Sequence, residues 1–141
     1  MKRAKRILVS LVGLAVVLCA IPVFAEKATM SIPYAQHQGK EGWWAGLALS
    51  NQGKGICTVT IYRTNGGTKK EVYKEELPAY SMKTDFLDKF FKAGEYPTEN
   101  GGRVSLIIEA DGDSTKADFR AILFTGNPEG GFGFASYKDG D

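Results

Sequence analysis

The chain has 141 residues, of which 43% are hydrophobic and 24% are charged, a balance typical of a globular protein. Its net charge of +2 depends on four bases near the N-terminus; without residues 1–25, 14 Lys and Arg residues face 16 Asp and Glu residues, for a net charge of −2. No basic field then remains to attract nucleic acid, so nucleic-acid binding is excluded as a function.

The first 25 residues have the pattern of a secretory signal peptide. A basic region at residues 2–6 precedes an apolar run at 7–21, and Val23-Phe24-Ala25 places small residues around a cleavage point after Ala25. The apolar run of about 15 residues is shorter than the roughly 20 that a spanning helix needs, so cleavage is favoured over an uncleaved anchor. We therefore predict an exported protein, periplasmic or extracellular, with no membrane span after cleavage and one β-sandwich domain at residues 26–141.

The cysteine content predicts a protein that its core alone must stabilise. Cys19 lies in the predicted signal peptide, which leaves Cys57 as the single cysteine of the processed chain. No internal disulfide can then form, although export would permit one. Because Cys57 lies in an alternating strand pattern, we interpret it as a small buried hydrophobic residue rather than a nucleophile.

Short β-rich runs, separated by polar and glycine-rich turns, predict the secondary structure of the rest of the chain. They predict seven strands, near residues 28–34, 43–50, 55–64, 68–77, 102–110, 116–125 and 131–137. Seven short strands with regular turns are typical of an all-β fold, an antiparallel β-sandwich or barrel, of which we take the sandwich as the prediction.

The clearest hairpin lies at residues 55–77. Cys57, Val59 and Ile61 alternate with polar residues, as in a strand with one buried face. The following Asn65-Gly66-Gly67 tolerates the positive φ of a tight turn. The returning run at 68–77 is densely charged, which predicts an edge strand protected from unwanted pairing.

One short helix is predicted after the fourth strand. Phe86, Leu87, Phe90 and Phe91 recur at helical spacing, and Gly94 is a natural C-terminal stop. A helix of two turns, at residues 85–92, is not stable alone. We therefore expect its phenylalanines to cover an open end of the sandwich, with a partner-binding helix as the alternative.

The segment IPYAQHQGKEGWWAGLALSN, residues 32–51, contains the candidate binding residues. Strand alternation from residue 43 places Trp43 with the leucines of the core and Trp44 on the opposite face, beside small residues. Trp44 either packs under other aromatic residues or faces a ligand or a second subunit. Polar side chains nearby either assist a ligand or belong to an ordinary loop. The candidate ligand-binding set is Trp44, Tyr34, His37, Gln36 and Gln38.

The sequence carries no recognisable catalytic or metal-binding motif. A G-x-S-x-G element is absent, and the single histidine cannot form a zinc site with one cysteine. We therefore expect no enzyme activity, no metal and no cofactor. An enzyme with an unrecognised site is kept as an alternative, behind the two binding functions given at the end of this section.

Several strands resemble those of a family of small bacterial exported β-sandwich modules. The residues concerned are Ile32-Pro33-Tyr34, the WWAGLALSN strand at 43–51, Val59-Thr60-Ile61-Tyr62, and the later SLIIEAD and AILFTG strands. The sensory rhodopsin transducer family is similar in outline. The resemblance implies a non-enzymatic sandwich that forms oligomers in some members. The chain departs from the family in two respects. The signal peptide argues against a cytosolic transducer role, and the helix predicted at residues 85–92 lies where many of these modules have a loose connection.

Two functions follow from these expectations. The leading one is an exported, non-enzymatic binding or assembly module, with a protein partner or a second copy of the chain as a homo-oligomer. The alternative is a carbohydrate-binding protein in which Trp44, Tyr34 and His37 form a platform for stacking and hydrogen bonding.

Overall fold

The computed structural model describes residues 27–37, 42–112 and 118–141. These ranges contain eight strands, arranged in two four-stranded antiparallel sheets, which confirms the all-β sandwich. The strands are β1 (Ala28–Gln36), β2 (Trp44–Asn51), β3 (Cys57–Asn65), β4 (Thr68–Leu77), β5 (Ser81–Phe86), β6 (Arg103–Gly112), β7 (Phe119–Gly126) and β8 (Phe132–Tyr137). The first sheet has the order β1-β6-β3-β4 and the second has the order β5-β2-β7-β8.

The core lies between the two sheets and follows the alternation of the sequence. Leu47 and Leu49 of β2 are fully buried, as are Val59 and Ile61 of β3. Cys57 is also buried and is a free cysteine, as the strand pattern predicted. Removing these apolar side chains from water is the main stabilising contribution available to the sandwich.

The prediction of a helix at residues 85–92 was wrong. Ser81–Phe86 forms β5, an eighth strand that the sequence analysis missed, and only Leu87–Phe90 forms a single 3₁₀ turn. Phe86 pairs with Gly46 of β2, so strand pairing overrides the helical spacing of the apolar residues. The phenylalanines were expected to cover the core: Phe90 and Phe91 are buried in the core cluster, whereas Phe86 is 53% exposed and does not cover it.

The β3–β4 hairpin has the predicted turn. Asn65 pairs with Thr68, so Gly66 and Gly67 form a two-residue turn, in which both residues have positive φ. Glycine adopts this conformation without the steric cost that a Cβ would add. The charged β4 lies at the edge of the first sheet, as predicted.

The opposite edge of the first sheet is irregular. β1 contains a register shift between Ile32 and Ala35, at Pro33, which has no backbone N–H to donate. The C-terminal residues lie along the same edge: Ser31 N–H donates to the carbonyl of Asp141, and Gly140 N–H donates to the carbonyl of Thr29. The C-terminal tail therefore forms hydrogen bonds with backbone groups on the edge of β1 that faces away from β6.

A buried asparagine connects the end of β2 to the β4–β5 turn. Asn51 is almost fully buried, and its Nδ2 donates to the carbonyls of Gly55, Leu77 and Pro78. Its Oδ1 accepts from the N–H of Gly53. One side chain thus satisfies backbone groups from two loops, which fixes the entry into β5.

Candidate functional site

The outer faces of the two sheets differ in chemistry. The first sheet presents polar residues outward, among them Thr60 and Glu109. Lys27 and Lys69 both form ion pairs with Glu109. Burial opposes ionisation of this carboxyl, but the two ammonium groups outweigh it and lower the pKa of Glu109. Two lysines thus engage the buried carboxylate of this face, whereas the second sheet presents a cluster of aromatic rings.

A pocket on the second sheet has a glycine as its floor. Gly46 of β2 pairs with Phe86 on β5 and with Phe124 on β7. Directly paired residues of antiparallel strands point to the same face, so two rings stand on either side of a residue without a side chain. The pocket measures about 370 Å³, and Thr84 and Asp85 complete its lining on β5.

Trp44 closes one end of this pocket because a second glycine makes room for its indole. Trp44 pairs with Gly126, and a Cβ at Gly126 would lie 2.2 Å from the indole, far below van der Waals contact. Phe132 pairs with Gly126 from the other side, and its ring centroid lies 6.0 Å from that of Trp44. The indole therefore lies across β7 and reaches the ring on β8.

The rings form a connected set. Phe124 and Phe132 stack at a centroid distance of 6.2 Å, and Trp44 meets Phe86 edge to face at 6.4 Å. Phe86 is 53% exposed and Phe132 is 64% exposed, so water contacts much of their surface. We call this site the aromatic slot, defined by Trp44, Gly46, Phe86, Phe124 and Phe132.

Trp44 is the one sequence-predicted residue that lies in the aromatic slot. Tyr34 and Gln36 lie on β1 of the other sheet and line a separate groove of about 310 Å³, together with Trp43. The Tyr34 hydroxyl donates to Gln36 Oε1 at 2.6 Å, and Gln36 Nε2 donates to the carbonyl of Gly101. Gln36 is buried by these contacts, while Tyr34 is exposed.

Trp43 was expected in the core, but it is only half-buried. It lies at the open side of the sandwich and lines the groove that contains Tyr34. Gln38, the remaining polar candidate of this segment, lies outside the described residues.

His37 is buried and connects three parts of the chain. Its Nδ1 accepts from the N–H of Ala45 at 3.0 Å, and its Nε2 lies 3.2 Å from Asp88 Oδ1. The accepting Nδ1 requires the neutral imidazole to carry its proton on Nε2, toward Asp88. Burial lowers the pKa of His37 below its ordinary value, although Asp88 works in the opposite direction.

The imidazole of His37 supports the slot from behind. Its ring lies 5.8 Å from Phe86 and meets Tyr96 edge to face at 5.6 Å. Tyr96 is buried, and its hydroxyl donates to the carbonyl of Gly102. We therefore interpret His37 as a residue that positions Phe86 rather than as a ligand contact.

Sequence reasoning did not identify Phe86, Phe124 or Phe132 as site residues. Phe86 was assigned to the predicted helix, and Phe124 and Phe132 lie in predicted strands, near residues 116–125 and 131–137, for which no site was proposed. The two glycines, Gly46 and Gly126, were the available signal, because a strand glycine often marks the close approach of another group. These glycines identify the slot only when the residues that pair with them on the neighbouring strands are known.

Among the described residues, no group of three or more His, Cys, Asp or Glu side chains could hold a metal ion. Within the same ranges, no helix is long and apolar enough to cross a membrane. Comparisons of the chain with protein-family models, curated proteins and solved structures found no match. The resemblance to exported sandwich modules and to the sensory rhodopsin transducer family therefore stays a prediction.

Proposed function

We propose that this protein is an exported, non-enzymatic binding or assembly module that takes an apolar side chain of a protein partner into the aromatic slot. The observation that carries the proposal is the cluster of half-exposed rings around the glycine floor. Exposed rings lose unfavourable contact with water when a partner covers them, and aromatic residues are enriched where proteins bind one another.

The lining of the slot favours an apolar partner over a sugar. A sugar ring could stack on Trp44, but its hydroxyl groups also need hydrogen-bonding partners. Among the described residues that line the slot, Thr84 and Asp85 are the two with polar side chains. The groove with Tyr34 and Gln36 is more polar, yet Gln36 is already engaged by Tyr34 and Gly101. Carbohydrate binding is therefore an outcome of the test rather than the leading function.

The same lining supports binding without catalysis. General acid or base chemistry needs a titratable group held beside the reacting atoms, and nucleophilic catalysis needs a base within hydrogen-bonding reach of the nucleophile. His37 lies behind Phe86 and is engaged by Ala45 and Asp88. Cys57 is buried in the core, where burial raises the pKa of its thiol.

Export rests on the N-terminal pattern of residues 1–25. It is tested by expressing the full chain in a bacterial host and measuring the mass of the product in each compartment. Cleavage after Ala25 in the periplasm or the medium supports the proposal. Retention of the complete chain in the cytoplasm contradicts it.

Binding is tested by selecting peptides from a displayed library on the wild-type protein and on Gly46→Leu. The added side chain would fill the slot from its floor, and its Cβ would lie 3.3 Å from the backbone oxygen of Asp85, so the β5 backbone must move by a few tenths of an ångström to accept it. We expect wild-type selection to enrich peptides rich in aromatic and aliphatic residues. We expect those peptides to change the tryptophan fluorescence of the protein and to bind Gly46→Leu at least about tenfold more weakly.

Tyr80→Ala is the matched control, because Tyr80 is an exposed aromatic residue in the β4–β5 turn, outside the slot. It should bind the selected peptides with wild-type affinity. Enrichment of the same peptides on wild type and Gly46→Leu would show that the slot is not the binding site. Binding of a glycan panel without any peptide binding would replace the proposal by the carbohydrate alternative.

A further inference from the structure

Each sheet ends in two edge strands, whose outer backbone groups can pair with another chain unless something prevents it. Within the described residues, the edges are β1 and β4 in the first sheet and β5 and β8 in the second sheet. The four edges differ in how they are protected.

Three of the edges carry recognisable protection. β4 has six charged residues, and β1 has Pro33, a register shift and the C-terminal tail along its edge. β5 carries Lys83 and Asp85, and Lys83 is held by an ion pair with Glu75 of β4. Charges, proline and an irregular register each disfavour the addition of another strand.

The fourth edge, β8, has none of these features. Its sequence Phe132-Gly133-Phe134-Ala135-Ser136-Tyr137 contains neither a charged residue nor a proline. In the described part of the chain, β8 pairs with β7 alone, and Phe134 is 71% exposed. An uncharged edge with large exposed rings is a template for strand pairing.

We propose that β8 pairs in antiparallel fashion with β8 of a second copy, joining the second sheets of two chains into one eight-stranded sheet. This inference deepens the assembly part of the proposed function and does not depend on what occupies the slot. A second copy is the favoured partner because β8 is complementary to itself: no like charges meet when the strand opposes its own sequence.

The alternation of side chains restricts this pairing to registers in which one residue opposes its own counterpart, and we choose the register centred on Phe134, the more exposed of the two phenylalanines in β8. Directly opposed residues must share a face of the sheet. The two-fold axis that relates the copies is normal to the sheet, and it therefore passes between one residue of β8 and the same residue of the second copy. With Phe134 opposite its counterpart, Phe132 opposes Ser136 and Gly133 opposes Ala135. Phe132 and Phe134 pair with Gly126 and Phe124 on the slot face, so the two slots would adjoin on one continuous face.

The pairing should be weak. A contact made by one strand of six residues is smaller than the roughly 1,200–2,000 Å² that stable interfaces bury. We therefore expect a reversible dimer whose population rises with protein concentration. The measurements must cover protein concentrations from about 10 µM to about 1 mM.

The test measures mass and amide exchange on the protein obtained from the full chain after processing by the host. Light scattering should show a shift from monomer toward dimer across the concentration range. Hydrogen exchange should show that amides of β8 become protected at high concentration, while amides of β5 do not. Phe134→Lys, which would place two lysines opposite each other, should reduce dimerisation by at least about tenfold.

Met82→Lys is the matched control, since Met82 is an exposed residue at the opposite edge of the same sheet, on β5. It should dimerise like wild type. A monomer at all concentrations, a dimer that Phe134→Lys leaves intact, or a dimer without added protection in β8 would each overturn the proposal. If Phe134→Lys does not fold, the exchange pattern of the wild-type protein decides alone. Peptide binding to the slot is a separate readout, so either proposal can fail without the other.

Discussion

Substitution of Gly126 by alanine tests the geometry on which the aromatic slot depends. The new Cβ would lie 2.2–2.4 Å from three atoms of the Trp44 indole, so the ring must move or the two strands must separate. Forcing an extra carbon into a packed site costs about 1–3 kcal/mol. If the indole instead swings into water, exposing about 100 Å² of apolar surface costs about 2.5 kcal/mol. Both routes predict a loss of about 1–3 kcal/mol in the free energy of unfolding.

Urea denaturation followed by tryptophan fluorescence measures this loss. Gly133→Ala is the matched control on the neighbouring strand, because its Cβ would meet only Thr125 Oγ1, at an ordinary 3.6 Å. We expect Gly126→Ala to unfold at lower urea concentration with an unchanged slope, and Gly133→Ala to differ by less than about 0.5 kcal/mol. A Gly126→Ala protein with wild-type stability and wild-type tryptophan emission would refute the placement of the indole.

Three further measurements address buried residues outside the slot lining. Asn51→Ala should destabilise the protein by about 2–4 kcal/mol in the same urea assay, because it leaves buried backbone groups of two loops without their partner; a loss below about 0.5 kcal/mol would contradict this. Burial lowers the pKa of His37, so the unfolded chain takes up a proton first and stability should fall as the pH drops below the ordinary value of 6.5. This loss of stability at low pH should disappear in a folded His37→Gln variant. If the variant loses stability as the wild type does, the loss belongs to another titratable group. Cys57 should react with a thiol reagent only on unfolding, because its side chain is buried; rapid modification of the native protein would contradict that burial.

The sequence was sufficient to predict the features that depend on local alternation. The burial of Leu47 and Leu49, and the outward position of Trp44, follow from a period of two within one strand. β5 was missed because Phe86, its last residue, is also the first residue of an apolar pattern with helical spacing. The slot could not be predicted because Gly46 meets Phe86 and Phe124 through two different registers, which pair residues about 40 and 80 positions apart.

The contrast between the two outer faces is the physical argument for a binding role. On the first sheet, the outer face contains a buried carboxylate, Glu109, that Lys27 and Lys69 engage. Folding does not require rings on the other face, because the core is already filled by residues on the inner faces of both sheets. Half-exposed rings at Phe86 and Phe132 add apolar surface in water, which disfavours the isolated chain and favours contact with another molecule. Gly46 and Gly126 then have a common explanation, because one keeps the slot open and the other makes room for its tryptophan wall.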